Sequence, residues 1–395
     1  MHTSVSTASA PPLRSLLLIL AIVAGVSIAN IYYNQPLLDN IRLSFPHQDK
    51  WIGAVPGAGQ IGFAIGMLML APLGDRLDRR RLILVQIVGL CLALIATAMA
   101  SSLFMLIGAV FAIGVFASMA QQAGPFAAEL APATQRGHAI GTVMGGLLLG
   151  ILLARTASGF VAEHFGWRAV FLAAVFPMIT LAALVARYLP ASHPTSTLTY
   201  PKLLASLWQL FLEFRLLREA ALTGAALFAA FSLFWSILSL LLAHPPFNLG
   251  PAASGLFGIV AAAGAVTAPW AGKCSDRWGS RRAISLAIGL VALSFVIFSF
   301  SGASLAGLVI GVIVLDVGLQ VAQTPNQSRI FALAPAARSR LNTVYMICYF
   351  CGGALGSAVG IFAWQTFGWP GACAAGIFFS AVAAGSHFRG NGISG

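Results

Sequence analysis

Long apolar runs, interrupted at short intervals by small clusters of charge, set the pattern of this chain. A helix that crosses a membrane needs about 20 apolar residues. Twelve stretches qualify: 13–38, 51–74, 81–99, 103–130, 137–163, 168–190, 217–243, 251–272, 281–300, 303–330, 339–364 and 369–387. The short alternating segments of a membrane β-barrel are absent, so the pattern predicts helices throughout. Residues 190–216 form the one long polar connection, with Pro190, Pro194 and Pro201 among serines and threonines. Its second part, a Leu/Trp/Phe stretch carrying Lys202, Glu213 and Arg215, predicts an amphipathic helix lying along the membrane surface. The expected organisation is a bundle over 1–189, a linker over 190–216 and a second bundle over 217–395.

The two parts resemble each other. Asp75 recurs as Asp276, Phe165-Gly166-Trp167 as Phe367-Gly368-Trp369, and Ala131-Pro132 as Ala334-Pro335, at offsets of 201, 202 and 203 residues. Three landmarks at nearly one offset imply a duplicated six-helix unit. Six is even, so both copies enter the membrane the same way up, as parallel repeats about an axis along the membrane normal. Stripes of small residues run along spans 2, 5 and 11, among them Gly146, Gly150 and Ala154, then Gly352, Gly356 and Gly360. Such stripes let helices approach closely, and the expectation is that spans 2, 5, 8 and 11 form the seam along which the halves rock.

Composition and charge then narrow the class. The chain is 59% hydrophobic and only 8% charged, against about 25% charged for a soluble domain. A net charge of +12 would suggest nucleic acid until the charges are placed. With the N-terminus inside, 18 of the 22 basic residues fall on the inner side, and Arg42, Lys50 and Arg168 fall outside. This is the positive-inside bias of a multi-pass bacterial inner-membrane protein with both termini cytoplasmic. Nucleic acid is not an expected partner; a small molecule, protons and the lipid bilayer are, with the chain acting as a monomer. No cofactor, metal cluster, P-loop or nucleophile with its base is visible, so an enzyme is not expected. The Cys348-x-x-Cys351 pair falls on an apolar helix and reads as packing.

The loop clusters carry a family resemblance. Gly272-Lys273-Cys274-Ser275-Asp276-Arg277-Trp278-Gly279-Ser280-Arg281-Arg282 fits the pattern G-x-x-x-[DE]-[RK]-x-G-x-[RK]-[RK] that marks the major facilitator superfamily of secondary transporters. The first copy, Asp75-Arg76-Leu77-Asp78-Arg79-Arg80, departs from it at both glycines. Asn30-Ile31-Tyr32-Tyr33-Asn34-Gln35-Pro36 and the fifth-span segment around Arg155 look like a bacterial efflux branch of that superfamily. The resemblance implies twelve helices in two pseudo-two-fold-related bundles, with spans 1, 4, 7 and 10 lining a central cavity. It also implies gating by the loop clusters, here Asp75, Arg76, Arg79, Arg80, Gly272, Asp276, Arg277, Gly279, Arg281 and Arg282, joined by Glu129 and Arg136.

Two ionisable groups lie well inside spans: Asp316 in the tenth and Arg155 in the fifth. Buried charges are expensive in a bilayer and default to function. Asp316, Gln320, Gln323 and Gln327 share one helix face and predict a cavity lining, with inter-helix hydrogen bonding as the plainer reading. Asn30, Tyr33 and Asn34 in span 1, Gln121 and Gln122 in span 4, and Trp235 and Ser236 in span 7 complete the candidate substrate cavity. Asp316 is the candidate proton carrier, the alternative being a fixed ion pair with Arg155; Asp39 is the reserve. These readings point to proton-coupled export of a small organic molecule by alternating access, or to proton-linked uptake of an organic acid.

Overall fold

The computed structural model describes residues 12–192, 199–261, 279–334 and 337–389, and among these residues every regular element is a helix. The N-terminal half contains α1 (Leu13–Tyr32), α2 (Leu38–Ser44), α3 (Ala54–Leu70), α4 (Arg79–Ala98), α5 (Leu103–Ala117), α6 (Ala120–Leu130), α7 (Arg136–Phe165) and α8 (Trp167–Tyr188). The linker helix is α9 (Tyr200–Glu213), and α10 (Arg215–Ala243) opens the second half. There follow α11 (Pro251–Ala261), α12 (Ser280–Ser299), α13 (Leu305–Phe331) and α14 (Arg338–Arg389). Helix α14 is 52 residues long and breaks at Gly368, so it makes two crossings, and α11 is the described start of the eighth span. Among the described residues the crossings are those expected from the apolar runs, and 262–272 of the expected eighth span lie outside them.

Two of the boundaries differ from expectation. The first span does not end at 38; the chain takes a 3-10 turn over Gln35–Leu37 and continues as α2 to Ser44. A proline ring excludes the regular helical bond there, and the tighter turn absorbs the loss. The fourth span is two helices, α5 and α6, separated at Ser118 and Met119.

The repeat is built from matching local chemistry. Ser102 caps α5 by accepting from Met105 N at 3.2 Å, and Ser304 caps α13 by accepting from Gly307 N at the same distance. Each hydroxyl satisfies one of the orphan donors of a helix start. The two Phe-Gly-Trp copies turn alike, with φ of 79° at Gly166 and 64° at Gly368. The loop motif shows where the copies part. Gly279 has φ of 84° before α12, a left-handed conformation that a side chain resists. Its counterpart Asp78 has φ of −60° and instead caps α4, accepting from Arg80 N at 3.0 Å. The aspartate therefore opens its helix by a side-chain cap where the glycine opens its own by a backbone turn.

The small-residue stripes pack differently from expectation. Gly146 and Gly150 of α7 sit against Ala21 and Gly25 of α1, while Gly352 and Gly356 of α14 sit against Ala225 and Ala229 of α10. Gly62 and Gly66 of α3 meet α5 at Phe111, Val115 and Ser118. Most of the stripes thus tighten each half internally, in equivalent pairs, because a backbone-to-backbone approach suits a permanent interface. A smaller set crosses between halves: Gly53 and Gly57 of α3 reach Ile361 and Ala354 of α14, and Gly159 of α7 reaches α11. Gln60 Nε2 donates to Ser232 Oγ at 3.2 Å, Thr156 Oγ1 donates to the Gly255 carbonyl at 3.0 Å, and the rings of Phe63 and Phe350 lie 4.4 Å apart. These bridges lie at mid-depth and toward the end remote from the basic clusters.

Helix α9 buries Leu203, Leu207 and Leu210 and leaves Trp208 and Leu212 exposed. Leu203 and Leu207 lie beside Ala71 and Pro72 of one half and Ser339 and Thr343 of the other, and Tyr200 Oη donates to the Met69 carbonyl at 2.9 Å. The linker helix therefore touches both halves at the basic end.

Candidate functional site

Asp316 and Arg155 reach one cavity from opposite halves. Its volume is about 120 Å³. Helix α13 turns Asp316, Gln320 and Gln323 into it, and α7 turns Leu148, Leu152 and Arg155 into it. Steps of three and four residues keep each set on one helical face. Helix α6 adds Gln121, and the rest of the wall is apolar, with Tyr32, Phe228, Phe231, Tyr349 and Phe350 among aliphatic side chains.

Arg155 is 1% exposed and held on three sides. Its Nε donates to Gln35 Oε1 at 2.8 Å, and its guanidinium lies over Trp235, 3.8 Å from the ring centroid, with Tyr32 at 5.0 Å and Phe231 at 5.6 Å. Aromatic faces attract a cation, more strongly where water is excluded, so the charge has support that involves no carboxylate. Its Nη2 has no hydrogen-bond partner. Asp316 is 8% exposed, and its Oδ2 likewise has none. Among the described residues no ion pair joins Asp316 to Arg155. The contact ion pair weighed as the alternative is thus absent from this structure, although the two charges act on each other across the cavity.

The break in the fourth span positions its glutamines. Gln86 Nε2 donates to Ser118 Oγ at 3.3 Å, and Gln122 Nε2 donates to Gln86 Oε1 at 2.7 Å. Gln122 is thereby turned into its own bundle, and Gln121, one residue earlier, takes the cavity side.

Several expected cavity residues lie elsewhere. Asn30 donates to the Val26 carbonyl at 2.7 Å and faces Met178 of α8. Asn34 is buried and donates to the Ile31 carbonyl at 3.2 Å. Tyr33 lies in a separate crevice against α7 and α8, beside Ala157 and Pro177. Ser236 bonds Ser357 at 2.9 Å, so it ties α10 to α14, and Trp235 stands behind Arg155. The physical reason is common to them: a polar residue inside a helix can satisfy itself on the preceding turn or on a neighbour, without facing a cavity. Gln327 bonds Asn342 at 3.4 Å, which ends the α13 stripe in an inter-helix contact. The reserve carrier Asp39 is salt-bridged to Arg42 at 2.8 Å in a different pocket, beside Asn248.

Residues that a reading by polarity missed include Tyr32, Gln35 and the aromatic wall of α10 and α14. Ile28, Tyr32 and Gln35 follow the same three- and four-residue spacing, and an intramembrane arginine requires an acceptor; together these were the available signals.

At the basic end, Arg79 Nε lies 3.6 Å from Glu129 Oε2, and its backbone N–H donates to Ser192 Oγ at 2.8 Å. Arg80 reaches the Ala186 carbonyl. Arg76 and Arg136 are exposed and form no ion pair among the described residues; Arg136 thus stands outside the cluster that Glu129 joins. In the second half Arg281 donates to the His387 carbonyl at 3.3 Å, and Arg282 is exposed. Gly272, Asp276, Arg277 and the side chain of Asp75 lie outside the described residues. The second half also holds a pair that reading by motif passed over: Arg329 and Glu219, 3.0 Å apart and both largely buried.

Comparison with known proteins agrees with this architecture. The chain matches the Major Facilitator Superfamily over residues 15–357, and it belongs to that family of transporters. It is 40% identical over 368 residues, 93% of each chain, to an uncharacterized transporter, YgaY, of Escherichia coli O157:H7. It is 26% identical over 357 residues, 74% of this chain and 69% of the relative, to the multidrug efflux pump LfrA of Mycolicibacterium smegmatis. Its fold matches an inward-facing bacterial homolog of the human lysosomal transporter Spinster, with a TM-score of 0.75, 16% identity and 96% and 97% of the two chains covered.

Proposed function

We propose that this transporter exports a small organic molecule in exchange for protons by alternating access, with Asp316 as the group that carries the proton. The observation behind this reading is a lone carboxylate in the wall of a cavity between the two halves. Such a group is stable at that depth only when it is paired, solvated or protonated. Arg155 is supported on Gln35 and Trp235, and Asp316, which has no hydrogen-bond partner on Oδ2, is left to exchange a proton for a substrate. With the basic end taken as cytoplasmic, the inter-half bridges lie toward the outer side, the arrangement that an inward-facing state requires. The name of LfrA favours export. Arg155 supports a second reading, proton-linked uptake of a carboxylate.

Proteoliposomes loaded with a pH dye and challenged from outside with amphipathic cations, zwitterions and carboxylates test both readings. Antiport makes the lumen alkaline as an active compound enters, and symport makes it acidic. The Asp316→Asn variant is expected to lose the pH change and keep exchange of labelled for unlabelled compound at saturating concentration. A pH response that survives the substitution overturns the carrier role.

A further inference from the structure

We propose that the cavity binds a small zwitterion with an apolar body, its anionic pole on Arg155 and its cationic pole on Asp316. This rests on the reading that the cavity is the transport site, and it names the substrate class. Two opposite charges, each more than nine-tenths buried, line one space of about 120 Å³ without pairing with each other. One atom on each, Arg155 Nη2 and Asp316 Oδ2, has no hydrogen-bond partner. A buried charged group with an unmet hydrogen-bonding atom is costly, and the fold keeps two of opposite sign at one site.

The candidate ligands differ in how many of these charges they satisfy. A monocation satisfies Asp316 and leaves Arg155 with an open donor. A monoanion does the reverse, and an uncharged polyol satisfies neither charge fully. A zwitterion answers both poles at once, and its body meets Phe228, Phe231 and Tyr349. The free space is equivalent to roughly four waters of liquid volume, which favours a small body over a bulky one. Gln35 belongs to the arrangement as a positioning residue, because it occupies Nε and so aims the remaining guanidinium nitrogens.

Three compounds on one skeleton test this: L-phenylalanine carries both poles, 2-phenylethylamine only the cation and 3-phenylpropionate only the anion. Binding is measured at equilibrium, without a gradient, on the purified full chain in nanodiscs. L-phenylalanine is expected to bind about ten-fold or more tightly than either single-pole compound, the scale of a charged hydrogen bond. Arg155→Gln is expected to reduce L-phenylalanine to the level of 2-phenylethylamine without weakening the latter, since it removes a like charge from beside the amine. Asp316→Asn is expected to reduce it to the level of 3-phenylpropionate. Gln35→Leu, which keeps the arginine, is expected to weaken only the compounds with a carboxylate. In each variant the probe lacking the affected pole serves as the control for folding. Equal binding of L-phenylalanine and 2-phenylethylamine by the wild type, uniform weakening by Arg155→Gln, or no binding of any probe at millimolar concentration overturns the proposal. Selective binding without any coupled pH change in the liposome assay removes proton coupling alone and leaves the substrate class standing.

Discussion

Arg155 is charged, buried and supported mainly by ring faces, and that arrangement has measurable consequences. A double-mutant cycle between Arg155→Met and Trp235→Leu, read by thermal unfolding in detergent, is expected to give a coupling of about 1–2 kcal/mol, the range for a desolvated cation–π contact. Asp316 differs because its Oδ2 has no hydrogen-bond partner and its carboxylate has no contact ion pair among the described residues. Asp316→Asn is expected to leave the melting temperature level or to raise it, since an amide costs less to bury than a lone carboxylate. A loss of about 3 kcal/mol, the size expected when a buried ion pair is broken, would show that the two residues pair after all. At this scale the sequence was informative about which residues are unusual and poor about where they point. Asp316 and Arg155 stood out because charge is rare in these spans. Asn30, Tyr33 and Gln122 stood out equally, yet a hydrogen bond to Val26, a side crevice and a bond to Gln86 take them out of the cavity.

Helix pairs carry most of the internal architecture, and neighbouring glycines on α7 separate two roles. Gly146 and Gly150 are pressed against α1, whereas Gly137, Gly141 and Gly145 have nothing within 4 Å of the position a Cβ would take. Gly146→Ala and Gly150→Ala are expected to destabilise by about 1–3 kcal/mol, the usual cost of overpacking, and Gly145→Ala to have little effect; thermal unfolding in detergent distinguishes them. Between α10 and α13, the Glu219–Arg329 pair is largely buried. Arg329→Ala is expected to cost up to roughly 3 kcal/mol by leaving Glu219 with only the His387 imidazole, 3.9 Å away, beside it, with part of the loss recovered in the double alanine variant. Helix positions themselves were legible from apolar run length, capping serines and the repeated Phe-Gly-Trp. The split of the fourth span was not, because Ser118 and Met119 look like any polar step in a helix until Gln86 is seen beside them.

The two halves together define what the protein does, since the cavity belongs to neither alone. Gly57 and Ala354 lie across the interface, and a Cβ built at Gly57 falls 4.0 Å from that of Ala354, within disulfide range. In a background without native cysteines, Gly57→Cys with Ala354→Cys is expected to cross-link on oxidation and arrest transport, with activity restored by a reductant. Transport undiminished by a complete cross-link would mean that this interface does not open during the cycle. Charge movement offers a second check. Exchange of a net-neutral zwitterion for one proton carries one positive charge inward per export cycle, so an inside-negative potassium diffusion potential is expected to accelerate it. Indifference to that potential would point to a cargo whose charge matches the protons exchanged.

By itself the sequence determined the membrane class, the helix count, the duplication and the two charged residues at depth, because hydrophobic length, charge placement and repeat spacing act locally along the chain. The tertiary structure decided which helix faces meet which neighbours. It set Asp316 and Arg155 in one cavity without pairing them, turned most of the glycine stripes into packing within each half, and enlisted Tyr32 and Gln35. Such outcomes depend on how helices rotate and approach when packed, and a polar residue satisfied by a neighbour reads the same along the chain as one facing a cavity.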